Sequence, residues 1–326
     1  MSDQSDITYP AILPANDLSD EVGDNVIQTF QLETNDLRGR SVRMGSVLDD
    51  VLNAHDYPLP VAHLVAETMT LTALLASMLK YDGIFTLQTK GDGPISMLVA
   101  DIRSNGDIRA CATFDEERLE AAREQLSALK TEEGGENHLA QYLGKGYIAF
   151  TVDQDKGERY QGIVELKGAS LIDCVQHYFD QSEQITTGIK IAVGLRDSQW
   201  RAGGIMLQEL PEEGGHSSSK VDSHNDEDDW RRAMVFLESA TDDELLDHAL
   251  DTNTLLHRLY HEYGVRVFEP LTLKHQCRCD EVRVKNVLMS MPDEDVQDIV
   301  VDGMIEMCCE FCSHVYRFES GDFLSS

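Results

Sequence analysis

Five of the chain's seven cysteines fall in its last fifty residues, in the stretches "KHQCRCDEV" and "MCCEFCSHV". One residue separates Cys277 from Cys279, two separate Cys309 from Cys312, and 29 residues (280–308) lie between the pairs. Two thiolate pairs, each on a tight knuckle and joined by an intervening fold, make the donor set of a tetrahedral structural zinc site, with one zinc ion per chain. The short spacing within each pair also allows a second chemistry. Either pair can be oxidised to a local disulfide whose small ring is strained and readily reduced again. Spacing alone leaves both readings open, an inert zinc ribbon and a redox-responsive centre. Cys308 stands directly beside Cys309 as an accessory thiol, placed to compete as ligand or disulfide partner.

Zinc-finger peptides gain roughly 10–16 kcal/mol from their metal at neutral pH, and a module of some fifty residues has too little core to fold without it. Oxidation of both pairs is therefore expected to eject the metal, unfold the module and release any helix docked on it. The other candidate groups read more plainly. Cys111, in an alternating strand, and Cys174, on an apolar helix stripe, are expected to be buried small hydrophobes. His257 and His261 are four apart, but "HRLYH" lacks the glutamate that a zinc protease uses as general base, so they are assigned to surface or docking contacts. His275 and His314 flank the knuckles as candidate donors to the sulfurs or substitute ligands. "KGDGP" and "LGKGY" lack P-loop spacing and a following helix, so both are expected to be hairpin turns, and no ATP site is apparent.

The elements that must position the cysteines follow from periodicity. "VAHLVAETMTLTALLASMLK" (61–80) carries apolar residues at helical spacing and predicts a helix with one stripe toward a core. "IFTLQTK", "ISMLVAD" and "DIRACATF", separated by "GDGP" and "SNGD", predict a strand meander, and "YIAFTVD" and "YQGIVEL" resume it after a charged helix and loop over 115–137. "ASLIDCVQHYFDQ" predicts an amphipathic helix before the strands "TGIKIAVGL" and "GGIMLQEL". Strands grouped around a few helices, without regular alternation, define an α+β class. Residues 211–229 hold seven carboxylates, one lysine and a single aliphatic residue, Val221, too little apolar surface to offset the cost of ordering. Beyond them come short helices, one opened by a capping-box pattern at Thr241 and Glu244 and another stopped at Gly264. The expected organisation is a flexible acidic extension (1–35), an α+β core (36–210), an acidic linker with short metastable helices (211–270) and a zinc-binding module (271–326).

Formal charge is −32, from 59 acidic against 27 basic side chains, a balance that repels phosphate backbones and anionic lipid heads. Nucleic acid and membrane are thus not expected as partners. With no basic and apolar leader and no run of eighteen apolar residues, a cytoplasmic protein is expected, where clustered thiols serve metal or redox chemistry.

The C-x-C, gap and C-x-x-C pattern, preceded by "RLYHEYGVRVFEP" and closed by "IEMCCEFCSHVYRF", resembles the thirty-three-kilodalton chaperonin family, the redox-regulated heat-shock holdases. "LQTKGDGPISMLVAD" and "RAGGIMLQELP" resemble that family's core-domain motifs, and the likeness runs from about Asp36 to Phe318. It implies that Cys277, Cys279, Cys309 and Cys312 hold zinc in a reduced, inactive form. It also implies that Cys277 pairs with Cys279, and Cys309 with Cys312, in an oxidised one. The resemblance further implies a chaperone rather than an enzyme, active as a homodimer that holds unfolding client proteins without ATP. Cys308 and the long acidic segments go beyond the family pattern.

Two other readings compete. A thiol-disulfide oxidoreductase would place its C-x-x-C at the start of a helix in a β-α-β unit, which the sequence around Cys309 does not offer. A zinc-ribbon adaptor fits the cysteines, although the charge argues against its nucleic-acid form.

Overall fold

A computed structural model describes residues 23–33, 37–129, 138–209 and 223–323. The acidic extension through residue 22 and the acidic stretch 210–222 lie outside the described residues. Strands β1 (Val26–Leu32) and β2 (Leu37–Met44) are followed by helices α1 (Ser46–Leu52) and α2 (Leu59–Ala76). The expected meander is β3 (Gly83–Gly91), β4 (Ile95–Arg103) and β5 (Asp107–Phe114). Helices α3 (Glu116–Leu129) and α4 (His138–Tyr142) lead into β6 (Gly146–Gln154) and β7 (Tyr160–Glu165). Helix α5 (Leu171–Tyr178), opened by a capping box between Ser170 and Asp173, precedes β8 (Thr187–Arg196) and β9 (Gln199–Glu209). Then come α6 (Ser223–Ser239), α7 (Asp242–Leu246) and α8 (Thr252–Tyr260). Three short strands, β10 (Val265–Val267), β11 (Leu271–Thr272) and β12 (Lys274–His275), return the chain to the sheets.

Two six-stranded sheets result. One runs β10-β1-β2-β9-β8 with β11 also beside β1, and the other runs β12-β5-β4-β3-β6-β7. Helix α2 lies between them, against β2, β8 and β9 on one side and β3, β4 and β5 on the other. The predicted single stripe is therefore a correction: Val61, Val65, Met69, Leu71 and Leu74 are buried around the whole circumference, as befits a helix with apolar neighbours on two sides. Thr68, Thr70 and Thr72 are buried too, and each hydroxyl donates to the carbonyl four residues earlier, at 2.6, 2.8 and 2.6 Å. Satisfied within the helix, these polar groups enter the core at little cost.

Helices α6, α7 and α8 cover the outer face of the first sheet. There Phe30, Leu32, Leu37, Ile205 and Leu207 pack against Leu237, Leu246, Leu256, Leu259 and Tyr260, in an apolar cluster separate from the one around α2. The capping box at Thr241 and Glu244 is formed, and Gly264 takes φ +69° after α8.

Four further expectations are corrected. Val26–Leu32, placed in the flexible extension, is a paired strand with Phe30 and Leu32 buried, because its alternating apolar residues meet both an adjacent strand and the covering helices. Residues 223–229, assigned to unstructured linker, are the first turns of α6, continuous with the later turns in which Ala233 and Leu237 are buried against the first sheet. The last residues of the expected linker and the first of the expected metal module, β10 to β12, are strands of the two core sheets. "LGKGY" is no hairpin but the approach to β6, clasped to the "KGDGP" turn by Asp92 N–H donating to the Lys145 carbonyl at 3.0 Å. A Cβ at Gly91 would sit 2.0 Å from the Leu143 carbonyl oxygen, which explains the glycines there.

Candidate metal centre

The first knuckle is delivered by a strand. β12 runs parallel to β5, with Lys274 N–H donating to Gly106 O at 3.1 Å and Gln276 N–H to Ile108 O at 3.2 Å. Cys277, Arg278 and Cys279 follow. Asp280 then caps helix α9 (Glu281–Ser290) by accepting from Arg283 N–H at 2.8 Å. Helix α10 (Asp293–Asp298) and strands β13 (Val300–Val301), β14 (Met304–Cys308) and β15 (Val315–Glu319) complete the module. The β14–β15 turn is the second knuckle: Cys309 N–H donates to His314 O at 2.9 Å, Ser313 N–H to Cys309 O at 2.8 Å, and Ser313 takes φ +55°. The fully buried hydrophobic residues of this module are Leu288, Val296, Ile305 and Phe318, a very small core.

The sulfurs of Cys277, Cys279, Cys309 and Cys312 all lie within 4.8 Å of one another. Cys277 is 3.7 Å from Cys309 and Cys279 is 3.5 Å from Cys312. A tetrahedron of sulfurs with metal–sulfur bonds of about 2.3 Å has edges of about 3.8 Å, whereas a disulfide requires about 2.05 Å. The spacing fits a divalent metal held by four thiolates, and zinc is the ion this donor set suits best. Charge points the same way. Burial would raise the Cys277 thiol, but the Cys279 N–H, the Cys279 and Cys312 thiols and Arg109 bring it down to about 7. Burial raises Cys309 and Cys312; hydrogen bonds with the other three sulfurs raise Cys312 further, whereas at Cys309 the one with Cys277 raises and the one with Cys312 lowers. The Cys277 sulfur ionises readily while those of Cys309 and Cys312 resist, so four thiolates need a compensating cation at their centre.

The core reaches into the site. Asp101, on β4, accepts from Arg109 Nε at 3.2 and 3.1 Å and pairs with Arg278 Nη2 at 2.7 Å. The Arg109 guanidinium lies 3.7 Å above the Phe311 ring and 3.9 Å from the Cys277 sulfur. Side chains of all three ionic residues are at most 15% exposed. Removing one partner of such a buried cluster costs about 3–5 kcal/mol. Asp101→Asn is therefore expected to loosen the module from the core, with amide exchange at Lys274 and Gln276 rising at least about 100-fold while the four sulfurs keep their metal. Unchanged exchange at those two amides would show that docking does not depend on this cluster. Spacing gave no hint of Asp101 or Arg109; the one local signal was Arg278, the charged residue inside the C-x-C.

Other sequence candidates fall elsewhere. Cys308 is exposed at the end of β14 and outside the sulfur cluster. Cys111 and Cys174 are buried in the core, and burial pushes Cys111 up to about 12 and raises Cys174 as well. His314 rests edge-on against Tyr316 at 4.6 Å, and neither it nor His275 joins the sulfurs. His257 and His261 stack on each other at 5.5 Å on the exposed side of α8. Cys309 and Cys312 lie on a hairpin turn, not at a helix start.

These features define a protein of two joined parts: a strand-rich α+β core, overlaid by a layer of helices, and a small tetrathiol module anchored to it. The profile of the family described as Hsp33 protein matches residues 25–319. A 33 kDa chaperonin of Caulobacter vibrioides is 37% identical over 313 residues, covering 93% of this chain and 98% of that one. One from Escherichia coli is 34% identical over 297 residues, covering 91% and 92%. The crystal structure of a 33 kDa chaperonin (heat shock protein 33 homolog) from Thermotoga maritima superposes with TM-score 0.73 at 20% identity, over 92% of this chain and 96% of that one. The chain belongs to the Hsp33 family.

Proposed function

We propose that this Hsp33-type chaperone is a redox-regulated, ATP-independent holdase, latent while its four cysteines hold zinc. The observation that carries the reading is a metal-type tetrathiol cluster in a module with almost no core of its own, anchored on the second sheet through β12 and continuous, through β10 and β11 on the edge of the first sheet, with the helices that cover that sheet's apolar face. Bound zinc would supply the positive charge that lets four thiolates share one small volume. Each cysteine pair is oxidised when a peroxide accepts two electrons from two thiolates: the O–O bond breaks, a sulfur–sulfur bond forms, and the two oxygens leave as hydroxides that take protons from solvent to become water. Distance does not select the pairing, since all four sulfurs are mutual neighbours. Pairing of Cys277 with Cys279 and Cys309 with Cys312 is favoured as the module opens, because the shortest loops close most readily.

Loss of the donors unfolds the module. Its ion pair from Arg278 to Asp101 is lost, and α6 to α8, each stable only through its buried stripe, lift from the first sheet. The surface uncovered around Phe30, Leu37, Ile205 and Leu207 then binds unfolding chains without sequence preference, as a homodimer in the cytoplasm. The charge of −32 keeps the complex soluble and disfavours nucleic acid or membrane as partner.

Light scattering of a thermally unfolding client tests this. Peroxide-treated protein at elevated temperature is expected to suppress aggregation while losing one zinc and four thiols per chain. Equal suppression by the reduced, metal-bound form would overturn the redox switch.

A further inference from the structure

Beyond the C-terminal end of α2, the two sheets leave between them a cleft of about 460 Å³. Its walls include Leu75, Met78, Phe85, Phe150 and Phe179, and Arg40 lies among them. Alternation along β2 explains the position: Arg40 shares the inward face with Val42 and Met44, so a cation stands where the pattern calls for an apolar side chain.

Arg40 is only 8% exposed. Its Nη1 donates to the neutral Gln208 Oε1 at 3.0 Å, its Nε has no hydrogen-bond partner, and it forms no ion pair among the described residues. Two carboxylates line the cleft without pairing with it. Glu183 accepts from the Tyr178 hydroxyl at 2.7 Å and the Tyr160 hydroxyl at 3.2 Å, and Glu209 lies at the end of β9. Burial, and then Arg38, pull the Arg40 guanidinium down to about 10, the direction of a cation without a counterion. Buried charges are ordinarily paired, so an unpaired guanidinium at the wall of a largely apolar cleft is suited to receive an anion.

We propose that this cleft binds a single-chain amphipathic monoanion, a fatty-acid carboxylate, with its head on Arg40 and its chain against Leu75, Met78, Phe85 and Phe150. Gln208 holds one terminal nitrogen, which leaves the edge formed by Nε and Nη2 for a two-point carboxylate contact. Arg40 is the buried cation of the walls, Arg38 lines the cleft as an exposed one, and Glu183 and Glu209 stand beside them, a balance that suits one negative charge on a hydrocarbon tail and repels a nucleotide or other polyanion. The volume lies within the range of small-molecule sites. Nothing in this binding requires oxidation of the cysteines, so it stands independently of the redox reading.

Calorimetric titration of the reduced full chain with sodium dodecanoate, below micelle-forming concentrations, tests the proposal. One site per chain is expected, with dodecanol and dodecyltrimethylammonium binding at least about tenfold more weakly. Arg40→Met is expected to weaken dodecanoate at least about tenfold and, without ligand, to melt at a higher temperature than the native chain, since it removes a buried charge with no partner. Leu79→Trp, at the cleft mouth where Leu79 is 43% exposed, should block the tail without touching Arg40 and weaken binding similarly. Equal binding of dodecanoate and dodecanol, or none of either, would overturn the assignment. So would an Arg40→Met chain that melts lower and is restored by Arg40→Lys, or a cleft that takes an unstructured peptide and not dodecanoate.

Discussion

Cys312→Ser is expected to abolish stoichiometric metal binding and unfold the C-terminal module, while the two-sheet core keeps its structure. Four sulfurs within 4.8 Å form a complete tetrahedral set, and a serine hydroxyl is a poor replacement for one thiolate. A structural zinc site contributes roughly 10–16 kcal/mol to folding at neutral pH, far more than typical domain stabilities can spare. The four buried side chains of this module cannot hold 277–323 without it. Zinc released to a colorimetric chelator should fall from one per chain to near zero. Amides in the β14–β15 hairpin, such as Cys309 N–H on His314 O, should exchange at the rate of an unfolded chain. A serine variant that carries one zinc per chain and retains a protected hairpin would remove the metal from its structural role. Because the reading ties latency to that role, the variant should also hold clients under reducing conditions.

Tyr260→Ala should release the covering helices without disturbing the sulfurs. Tyr260, the last residue of α8, is fully buried between the helical layer and the first sheet, stacked on Phe30 at a centroid distance of 6.1 Å and edge-on to Phe236 at 6.5 Å. Truncating an aromatic residue in such a place costs about 3–5 kcal/mol. Short helices held by one apolar stripe have little else to offset that loss. Proteolytic cleavage within α6 to α8 is expected to rise at least about 100-fold, and client holding should become independent of peroxide. Tyr260→Phe separates packing from polarity. The buried Tyr260 hydroxyl has no hydrogen-bond partner among the described residues, so its removal should leave the layer as stable as before or more so. If alanine leaves cleavage unchanged, or phenylalanine loosens the layer as much as alanine does, the packing account of the helical cover fails.

The candidate site and the fold were legible to different depths. Cys277, Cys279, Cys309 and Cys312 were readable because paired thiols one and two residues apart are a local signal, and the structure brings these four together. Strands such as Ile95–Arg103 and Asp107–Phe114 were readable because alternation and glycine-rich turns are also local, as was the capping box of α7. Strand β1 was missed because its acidic surroundings outweighed a seven-residue pattern. The anchoring of the module was not readable at all. Arg109 and Cys277 are 168 positions apart, and no short-range pattern connects them.

By itself the sequence determined the donor chemistry, the polarity of the surface and the alternation of the main strands, all of which depend on residues close together in the chain. The tertiary structure alone decided that α2 is buried on every side, that β12 carries the first knuckle to the edge of β5, and that Asp101 joins Arg109 to Arg278. It also decided that Arg40 lines a cleft with no ion-pair partner among the described residues. Each of these depends on which distant segments the sheets make neighbours, and that choice minimises the free energy of the whole packed chain, not of any window within it.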